Sequence, residues 1–210
     1  MASKPADQVQ DKILLWGSEN LRDFPWRDGD KSVYEVFIAE FFLTQTPPEN
    51  VGNIYPSFLQ KYPSLAEIDA APNSEIRSDI RPLGFQSMRA DALKEIARKH
   101  DRLPKTTSQF RELPRVGRYV ANATLSFADA RPLPIVDRNV DRIYARLFPG
   151  GYPTRDSRRW AFASKMLPQK GEEARMFNLS LIDFGSLVCT KSSPNCEGCP
   201  LAEECNYRRD

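Results

Sequence analysis

Residues 113–123 read Leu-Pro-Arg-Val-Gly-Arg-Tyr-Val-Ala-Asn-Ala, and this short stretch decides the fold. The segment before it, 107–113, has the character of a short helix that ends at a proline. The segment after it predicts a second helix over 118–129. Gly117 closes the turn between the two helices, and we expect it to adopt a backbone conformation that other residues avoid. The stretch therefore predicts two short helices joined by a tight turn.

This turn is also a candidate anion site. The second helix starts with free backbone N–H groups, which attract phosphate. Arg115 and Arg118 flank the turn and can add charged contacts. We therefore take Arg115, Val116, Gly117 and Arg118 as candidate phosphate-binding residues. Taken alone, the stretch is more often an ordinary corner between two helices.

The C-terminal tail holds all four cysteines of the chain, Cys189, Cys196, Cys199 and Cys205, in the spacing C-x6-C-x2-C-x5-C. Thiolates this close in sequence can surround one metal centre. In a reduced compartment, metal ligation is favoured over disulfides. Zinc sites of four cysteines usually come as two close CxxC pairs, and only one such pair occurs here. The tail thus predicts a metal cluster or a zinc site.

The composition is that of a soluble protein. Of 210 residues, 40% are apolar and 28% are charged, and the mean hydropathy is −0.53. The net charge is only +2, so a polyanionic partner has to be met by a local basic patch. No apolar run approaches the roughly 18 residues of a membrane span, and the N-terminus lacks the apolar core of a secretion signal. We expect a cytoplasmic protein that does not bind membranes.

Hydrophobic periodicity and helix breakers predict an all-α protein. The stretch 32–45 is apolar almost all round, as a buried helix should be, and Ser32 is its expected cap. Residues 1–10 are polar and are expected to be frayed. No segment alternates with the period of a strand. The other predicted helices are 11–21, 49–61, 64–69, 74–81, 87–99, 107–113, 118–129, 138–147, 156–166 and 172–187.

Glu40 interrupts the apolar run from Val36 to Leu43. A carboxylate on a buried helix is costly unless it is paired or functional. Burial raises the pKa of a carboxyl group, which makes it a usable proton donor near neutral pH. A structural ion pair with an arginine is an equally good interpretation. Glu40 is therefore a candidate general acid.

Asp137 stands just before the predicted helix 138–147, where an aspartate commonly caps the first turn. A carboxylate fixed in this way can also stabilise a developing cation. Asn139 could orient that carboxylate or hold a water molecule. Asp141 falls inside the helix and is expected to be a solvated partner of an arginine. Asp137 and Asn139 are thus candidate catalytic residues.

Three segments in this order carry a resemblance: the stretch 113–123, the sequence VDRNVDRIYARL at 136–147, and the cysteine tail. Together they resemble the helix-hairpin-helix DNA glycosylases of the endonuclease III and MutY superfamily. The segments FPWR (24–27) and AEFFLTQT (39–46) are similar to that family as well. The resemblance covers about residues 13–206, and the cysteine spacing is its most specific part.

The resemblance implies two α-helical lobes. A six-helix barrel would span 30–131 and contain the helix-hairpin-helix at 107–129. A second lobe would combine 1–29 with 132–210 and carry a [4Fe–4S] cluster on the loop 189–205. Double-stranded DNA with a mismatched or damaged base would lie in the cleft, with one nucleotide rotated out of the stack. The resemblance further implies a monomer associated with the nucleoid.

The resemblance also implies roles for single residues. Asp137 matches the aspartate of the superfamily and Glu40 the glutamate of the MutY type. Gln45 matches a residue that fills the gap left by the extruded base. In the basic loop between the first two cysteines, Lys191 is the candidate phosphate contact. Family hairpins hold an alkali-metal ion on main-chain carbonyls, which here would be those of Arg111, Leu113 and Val116.

Tyr119 indicates the branch of the family. Bifunctional members carry at this position a lysine that attacks the sugar and cleaves the strand through a Schiff base. Tyrosine cannot form that imine, so we expect a monofunctional glycosylase. Tyr119 and the run 74–98 resemble the MIG-type thymine/uracil mismatch glycosylases. The chain ends five residues after Cys205, and we expect no room for the further domain that MutY proteins carry.

Several alternatives stay open. A MutY-like adenine glycosylase acting opposite guanine or 8-oxoguanine is the nearest one, since some MutY relatives also carry tyrosine at position 119. A non-catalytic DNA-binding protein with a structural metal cluster is another, and a helical protein with a zinc ribbon is a third. The chain departs from the family pattern at Arg115, which replaces the first glycine of the hairpin.

Overall fold

The structure, a computed structural model, describes residues 5–28 and 30–208. All of the regular secondary structure in these residues is helical, with no β-strand, which confirms the predicted fold class. The α-helices are α1 (Pro5–Asn20), α2 (Val33–Leu43), α3 (Pro48–Lys61), α4 (Leu65–Ala70), α5 (Asn73–Asp79), α6 (Gln86–Lys99), α7 (Thr107–Phe110), α8 (Arg118–Asp129), α9 (Arg138–Leu147), α10 (Asp156–Lys165) and α11 (Gly171–Leu187).

The predicted helices correspond to these elements with small shifts at their ends. The largest shift concerns α1, which begins at Pro5, whereas residues 1–10 were expected to be frayed. The turns of α1 before position 11 are held by burial, because Val9 is 1% exposed and packs into the core. The start of that expected frayed segment, residues 1–4, lies outside the described residues.

The chain divides into two compact units. The internal unit comprises Asp23–Asp129, and the terminal unit comprises Met1–Arg22 together with Ala130–Asp210. No helix in the described ranges is long and apolar enough to span a bilayer.

Helix α2 forms the centre of the internal unit. Its start is fixed by a reciprocal cap: Glu35 N–H donates to Ser32 Oγ at 3.3 Å, and Ser32 N–H donates to Glu35 Oε2 at 2.8 Å. The helix then buries every residue from Val36 to Phe42 and packs against α8. A helix that is apolar on all sides has no polar face to expose to solvent, so it is most stable when it is buried on all sides.

The terminal unit is built on the packing of α1 against α11. Gly17 permits their close approach, because a Cβ at this position would lie 1.8 Å from Ser180 Oγ. Beyond α1, Arg22 and Asp183 form an ion pair with Nη2–Oδ1 at 2.7 Å, and the main-chain N–H of Arg22 donates to Oδ2 at 2.8 Å. Asp183 is fully buried, and such a charge is tolerated because it is paired and hydrogen-bonded.

The hairpin between α7 and α8 has its left-handed residue at an unexpected position. Val116 N–H donates to Leu113 C=O at 3.2 Å and closes the turn. Arg115 has φ 62°, whereas Gly117 lies outside the left-handed region, so the expectation for Gly117 was wrong. In a turn that begins Leu-Pro, the positive φ falls on the residue after the proline, as in type II turns. The arginine therefore takes a backbone conformation that suits glycine.

Arg115→Gly should stabilise the fold. Left-handed backbone costs a non-glycine residue about 1–2 kcal/mol. Glycine avoids this cost, but it also makes the unfolded chain more flexible, which offsets part of the gain in stability. The expected gain in the free energy of unfolding is about 1 kcal/mol, measured by denaturant titration. The matched control is Arg118→Gly, a glycine at the first position of α8, where no left-handed strain is relieved and no gain in stability is expected. A loss of stability in Arg115→Gly would contradict the assignment of strain.

Candidate active site

Asp137 caps the N-terminus of α9, as predicted. Its Oδ1 accepts from Asn139 N–H at 2.9 Å and from Val140 N–H at 2.7 Å. Burial raises the pKa of the Asp137 carboxyl, while these two hydrogen bonds, together with the charges of Arg142 and Arg138, act in the opposite direction. The result is a fixed carboxylate with one oxygen committed to the helix. Such a group can stabilise positive charge that develops beside it.

Asn139 contacts Asp137 through its main chain, and its side chain fastens α9 to α11. Its Nδ2 donates to Ser186 Oγ at 3.3 Å, and its Oδ1 accepts from Arg142 Nη2 at 2.9 Å. Gly185 makes room for this contact, since a Cβ there would lie 2.5 Å from Asn139 Cβ. Asn139 therefore holds the helix that carries Asp137.

Two arginines on one face of α9 bind the start of the cysteine tail. Arg142 donates to Cys189 C=O at 2.8 Å and to Gly185 C=O at 2.7 Å. Arg146 donates to Cys189 Sγ at 3.3 Å and to Thr190 C=O at 2.7 Å. The first cysteine is thus tied to the helix that begins at Asp137. Neither arginine was predicted from the sequence as a binding residue, although their spacing of four residues places both on one face of a predicted helix.

The four cysteines are partly buried and lie in one electrostatic neighbourhood. Burial raises the pKa of the Cys199 thiol, and the charges of the other three cysteines raise it further against a hydrogen bond from the backbone of Leu201. Three of them, Cys189, Cys199 and Cys205, pack against the core of the terminal unit. Four soft sulfur donors on one segment suit iron or zinc. Within the described residues, however, no three metal-binding side chains converge closely enough to hold an ion.

Glu40 lies in the middle of α2 and is only 2% exposed. Its neighbours Ala39 and Phe41 are buried as well. A carboxyl group in such surroundings is held away from bulk water and can act as an acid only toward a group that reaches it. Glu40 belongs to the internal unit and Asp137 to the terminal unit.

Gln45 and Arg115 line the same cavity of the internal unit, together with Phe41, Thr44, Phe85 and Arg89. Arg89 is 4% exposed and holds the segment that follows α2. Its guanidinium donates to Phe42 C=O at 2.6 Å, to Thr44 C=O at 2.7 Å and to Thr46 Oγ1 at 2.7 Å. Arg89 was not predicted from the sequence, because no local sequence pattern distinguishes a buried arginine from a solvated one.

The remaining candidate residues differ in accessibility. Val116 is 5% exposed and its N–H is bonded to Leu113 C=O, so the prediction that it binds phosphate through a free N–H was wrong. Gly117 is exposed, and a Cβ added there would meet no atom within 4 Å. Arg118 and Tyr119 begin α8 and are partly buried. Lys191 is exposed, and its carbonyl accepts from Arg146 Nη2 at 3.0 Å.

Comparison with known proteins gives a consistent picture. Residues 38–164 match the model of the HhH-GPD superfamily of base excision DNA repair proteins. A thymine/uracil-DNA glycosylase of Methanothermobacter thermautotrophicus is 34% identical over 93% of this chain and 90% of its own length. An adenine DNA glycosylase of Mycobacterium tuberculosis is 34% identical over 93% of this chain and 66% of its own length. The structure of a thermostable thymine-DNA glycosylase superposes with a TM-score of 0.91 at 32% identity, covering 98% of this chain and 97% of that one.

Asp137→Asn should stabilise the protein at neutral pH. Because burial raises the pKa of the Asp137 carboxyl, its contribution to stability is fully present below the pKa of an unfolded aspartate and is lost as the pH rises through the folded value. Asparagine caps helices equally well and carries no charge to desolvate. The gain in melting temperature should therefore be seen at pH 7 and shrink as the pH falls toward about 4.

Asp141→Asn is the matched control on the same helix. Asp141 accepts a hydrogen bond from Tyr152 Oη at 2.7 Å and pairs with Arg159 Nη1 at 3.2 Å. Losing this ion pair should leave stability at pH 7 unchanged or lower. An equal gain in both variants, or a gain in Asp137→Asn that does not depend on pH, would contradict the interpretation of Asp137.

Proposed function

This chain belongs to the HhH-GPD superfamily of base excision DNA repair proteins, and from that membership we propose that it is a DNA glycosylase that removes thymine or uracil opposite guanine. The observation that carries the proposal is the fixed carboxylate of Asp137 at the start of α9. The thymine/uracil-DNA glycosylase relative and the thymine-DNA glycosylase structure support the choice of base. The substrate is double-stranded DNA with the target nucleotide extruded from the stack.

Asp137 supplies the central chemical step. Cleavage of an N-glycosidic bond builds positive, oxocarbenium-like charge on the sugar, as in other glycoside hydrolyses. An ionised carboxylate held in place by two N–H donors stabilises that charge without having to reorganise. Its second oxygen, which does not cap α9, is the group that faces the cation or positions the attacking water. Asn139 contributes by holding α9 against α11.

Glu40 assists the departing base. A thymine or uracil anion is a poor leaving group, and protonation or a hydrogen bond from a carboxyl group improves it. Glu40 is 2% exposed, so its carboxyl group is shielded from bulk water and meets only a group that reaches it. This shielded position supports Glu40 as the partner of the departing base, whereas Asp137 stabilises the cation.

The hairpin binds the DNA backbone. Gly117 leaves the main chain at the start of α8 open to a phosphate, and α8 is long enough for its N-terminus to attract one. Arg118 and Lys191 add charged contacts, so affinity should fall with salt. Gln45 would enter the gap left by the extruded base. We also propose an alkali-metal ion on the carbonyls of Arg111, Leu113 and Val116.

Tyr119 makes the enzyme monofunctional. A phenol cannot form a Schiff base with the sugar, so base release leaves an intact abasic strand. Adenine excision opposite guanine or 8-oxoguanine is the second candidate, because the adenine glycosylase relative is as similar in identity as the thymine/uracil one. A structural match that covers 97% of a thymine-DNA glycosylase favours the first candidate.

The four cysteines would bind a [4Fe–4S] cluster. The donor set fits by its chemistry, because four thiols lie on one segment and Arg146 donates a hydrogen bond to Cys189 Sγ, as protein groups do around iron–sulfur centres. When bound, the cluster would cross-link the segment 189–205 and could exchange an electron. The terminal unit would then be the cluster lobe, and the internal unit would hold the six-helix barrel with its hairpin.

A panel of duplexes tests the proposed function. Wild-type protein should release thymine and uracil from G:T and G:U pairs much faster than adenine from A:8-oxoguanine, as measured by alkaline cleavage of the abasic product. Asp137→Asn should lower the rate by at least about 1,000-fold, because an electrostatic stabiliser of this kind contributes several kcal/mol. Borohydride should trap no covalent adduct.

The outcomes of this panel separate the candidates. Preferred release of adenine would replace thymine/uracil excision with the MutY-type reaction. Tight binding to every lesion without release of any base would leave a non-catalytic DNA-binding protein. An Asp137→Asn variant with wild-type turnover would refute the role of that carboxylate, provided that the variant is folded by circular dichroism.

The cofactor is tested on the purified, aerobically and anaerobically prepared protein. We expect a brown protein that contains iron and acid-labile sulfide in equal amounts. Cys196→Ser should lose the visible absorbance, whereas Ser193→Ala in the same loop should keep it. A colourless protein with one zinc per chain would refute the cluster.

A further inference from the structure

One cavity of the internal unit collects most of the strained backbone of the chain. Four non-glycine residues of the described ranges have positive φ, and three of them line this cavity. These are Gln45 at φ 60°, Phe85 at 51° and Arg115 at 62°. The fourth, Ala130, belongs to the terminal unit. Strained backbone held at one place is a mark of a functional site rather than of packing.

The scaffold of this cavity is held rigidly by Arg89. Its guanidinium binds the carbonyls of Phe42 and Thr44, and Thr46 Oγ1 donates in turn to Leu83 C=O at 3.0 Å. The two segments that carry Gln45 and Phe85 are thereby tied to one another. Both terminal nitrogens of Arg89 are thus bound to the protein, and the residue serves to hold these segments together.

Arg115 is the cation of the cavity that remains available. Its side chain is exposed, and within the described residues its guanidinium makes no ion pair. No carboxylate lines the cavity. The aromatic residues Phe41 and Phe85 do line it, and Phe85 is 52% exposed. An aromatic wall beside a guanidinium and a side-chain amide suits a nucleobase, since a phosphate gains nothing from aromatic rings.

We propose that Arg115 recognises the guanine opposite the extruded base. The inference rests on the proposed function, which leaves this guanine without a pairing partner. Its freed edge offers one acceptor, O6, and donors at N1 and the 2-amino group. Arg115 donates to O6, and the side-chain carbonyl of Gln45 accepts from N1–H or the amino group. Adenine has an amino group where guanine has O6. Two hydrogen-bond donors would then face each other, and no hydrogen bond to Arg115 could form.

Binding to an abasic-site analogue tests the inference without requiring base release. Duplexes carry a tetrahydrofuran residue opposite either guanine or adenine, and dissociation constants are measured by fluorescence anisotropy at fixed salt. Wild-type protein should bind the guanine duplex about tenfold more tightly, the discrimination expected of one arginine–guanine contact. Arg115→Gly should remove this preference, and it fits the backbone better than arginine does. Arg115→Lys keeps the charge but loses the planar fork, and should show an intermediate preference.

Arg102→Ala is the matched control. Arg102 is an exposed arginine of the internal unit that does not line the cavity, so its loss should leave the preference for guanine unchanged. The inference is overturned if the wild type binds both duplexes equally or if Arg115→Gly retains the preference. It is also overturned if Arg115→Gly weakens both duplexes alike and lowers the salt slope by about one, since that is the behaviour of a phosphate contact.

Failure of this inference is distinguishable from failure of the proposed function. If thymine is released opposite guanine while Arg115→Gly keeps the guanine preference, only the role of Arg115 is refuted. If the wild-type protein neither releases a base nor binds the analogue, the proposed function itself is refuted.

Discussion

The proposed chemistry of this protein depends first on where the carboxylate of Asp137 is held. Two hydrogen bonds from the first turn of α9 offset part of the free-energy cost of burying the Asp137 carboxylate. A helix N-terminus is the main-chain environment that best tolerates a desolvated negative charge. The position of the carboxylate is consequently the position of α9, and the terminal unit is organised to hold that helix in place.

Arginine side chains provide much of this fixation. Arg142 and Arg146 bind carbonyls at the end of α11 and in the cysteine tail, and Arg89 does the same at the end of α2. The ends of helices leave carbonyls unsatisfied, and a planar group with five donors can bind several of them at once. A chain with many prolines and short helices has many helix ends. The carbonyls at each end lack partners within the helix and are bound by side chains such as these arginines.

The hairpin shows how a departure from the family pattern is accommodated. Arginine at position 115 keeps the left-handed conformation that glycine would take more readily. The turn is closed by the bond from Val116 to Leu113, so the conformation is imposed from outside the residue. What is gained is a side chain directed into a cavity with Gln45 and Phe85.

Local sequence patterns were sufficient to predict the helices and the candidate catalytic residues. The apolar run of α2 requires burial on every side, Ser32 and Asp137 mark helix starts by local hydrogen bonding, and the cysteine spacing predicts a metal-binding segment. These features depend on residues that are neighbours in the chain, so they can be recognised without a fold.

Long-range contacts determine which arginines are structural and which residue of the hairpin is strained. Arg89, Arg142 and Arg146 bind partners more than 40 positions away in the chain, and no local pattern separates them from solvated arginines. The left-handed conformation of Arg115 likewise follows from the closure of the turn, which the residue's own preference opposes. Long-range contacts override local preference because the free energy of packing a whole helix exceeds the cost of one strained residue.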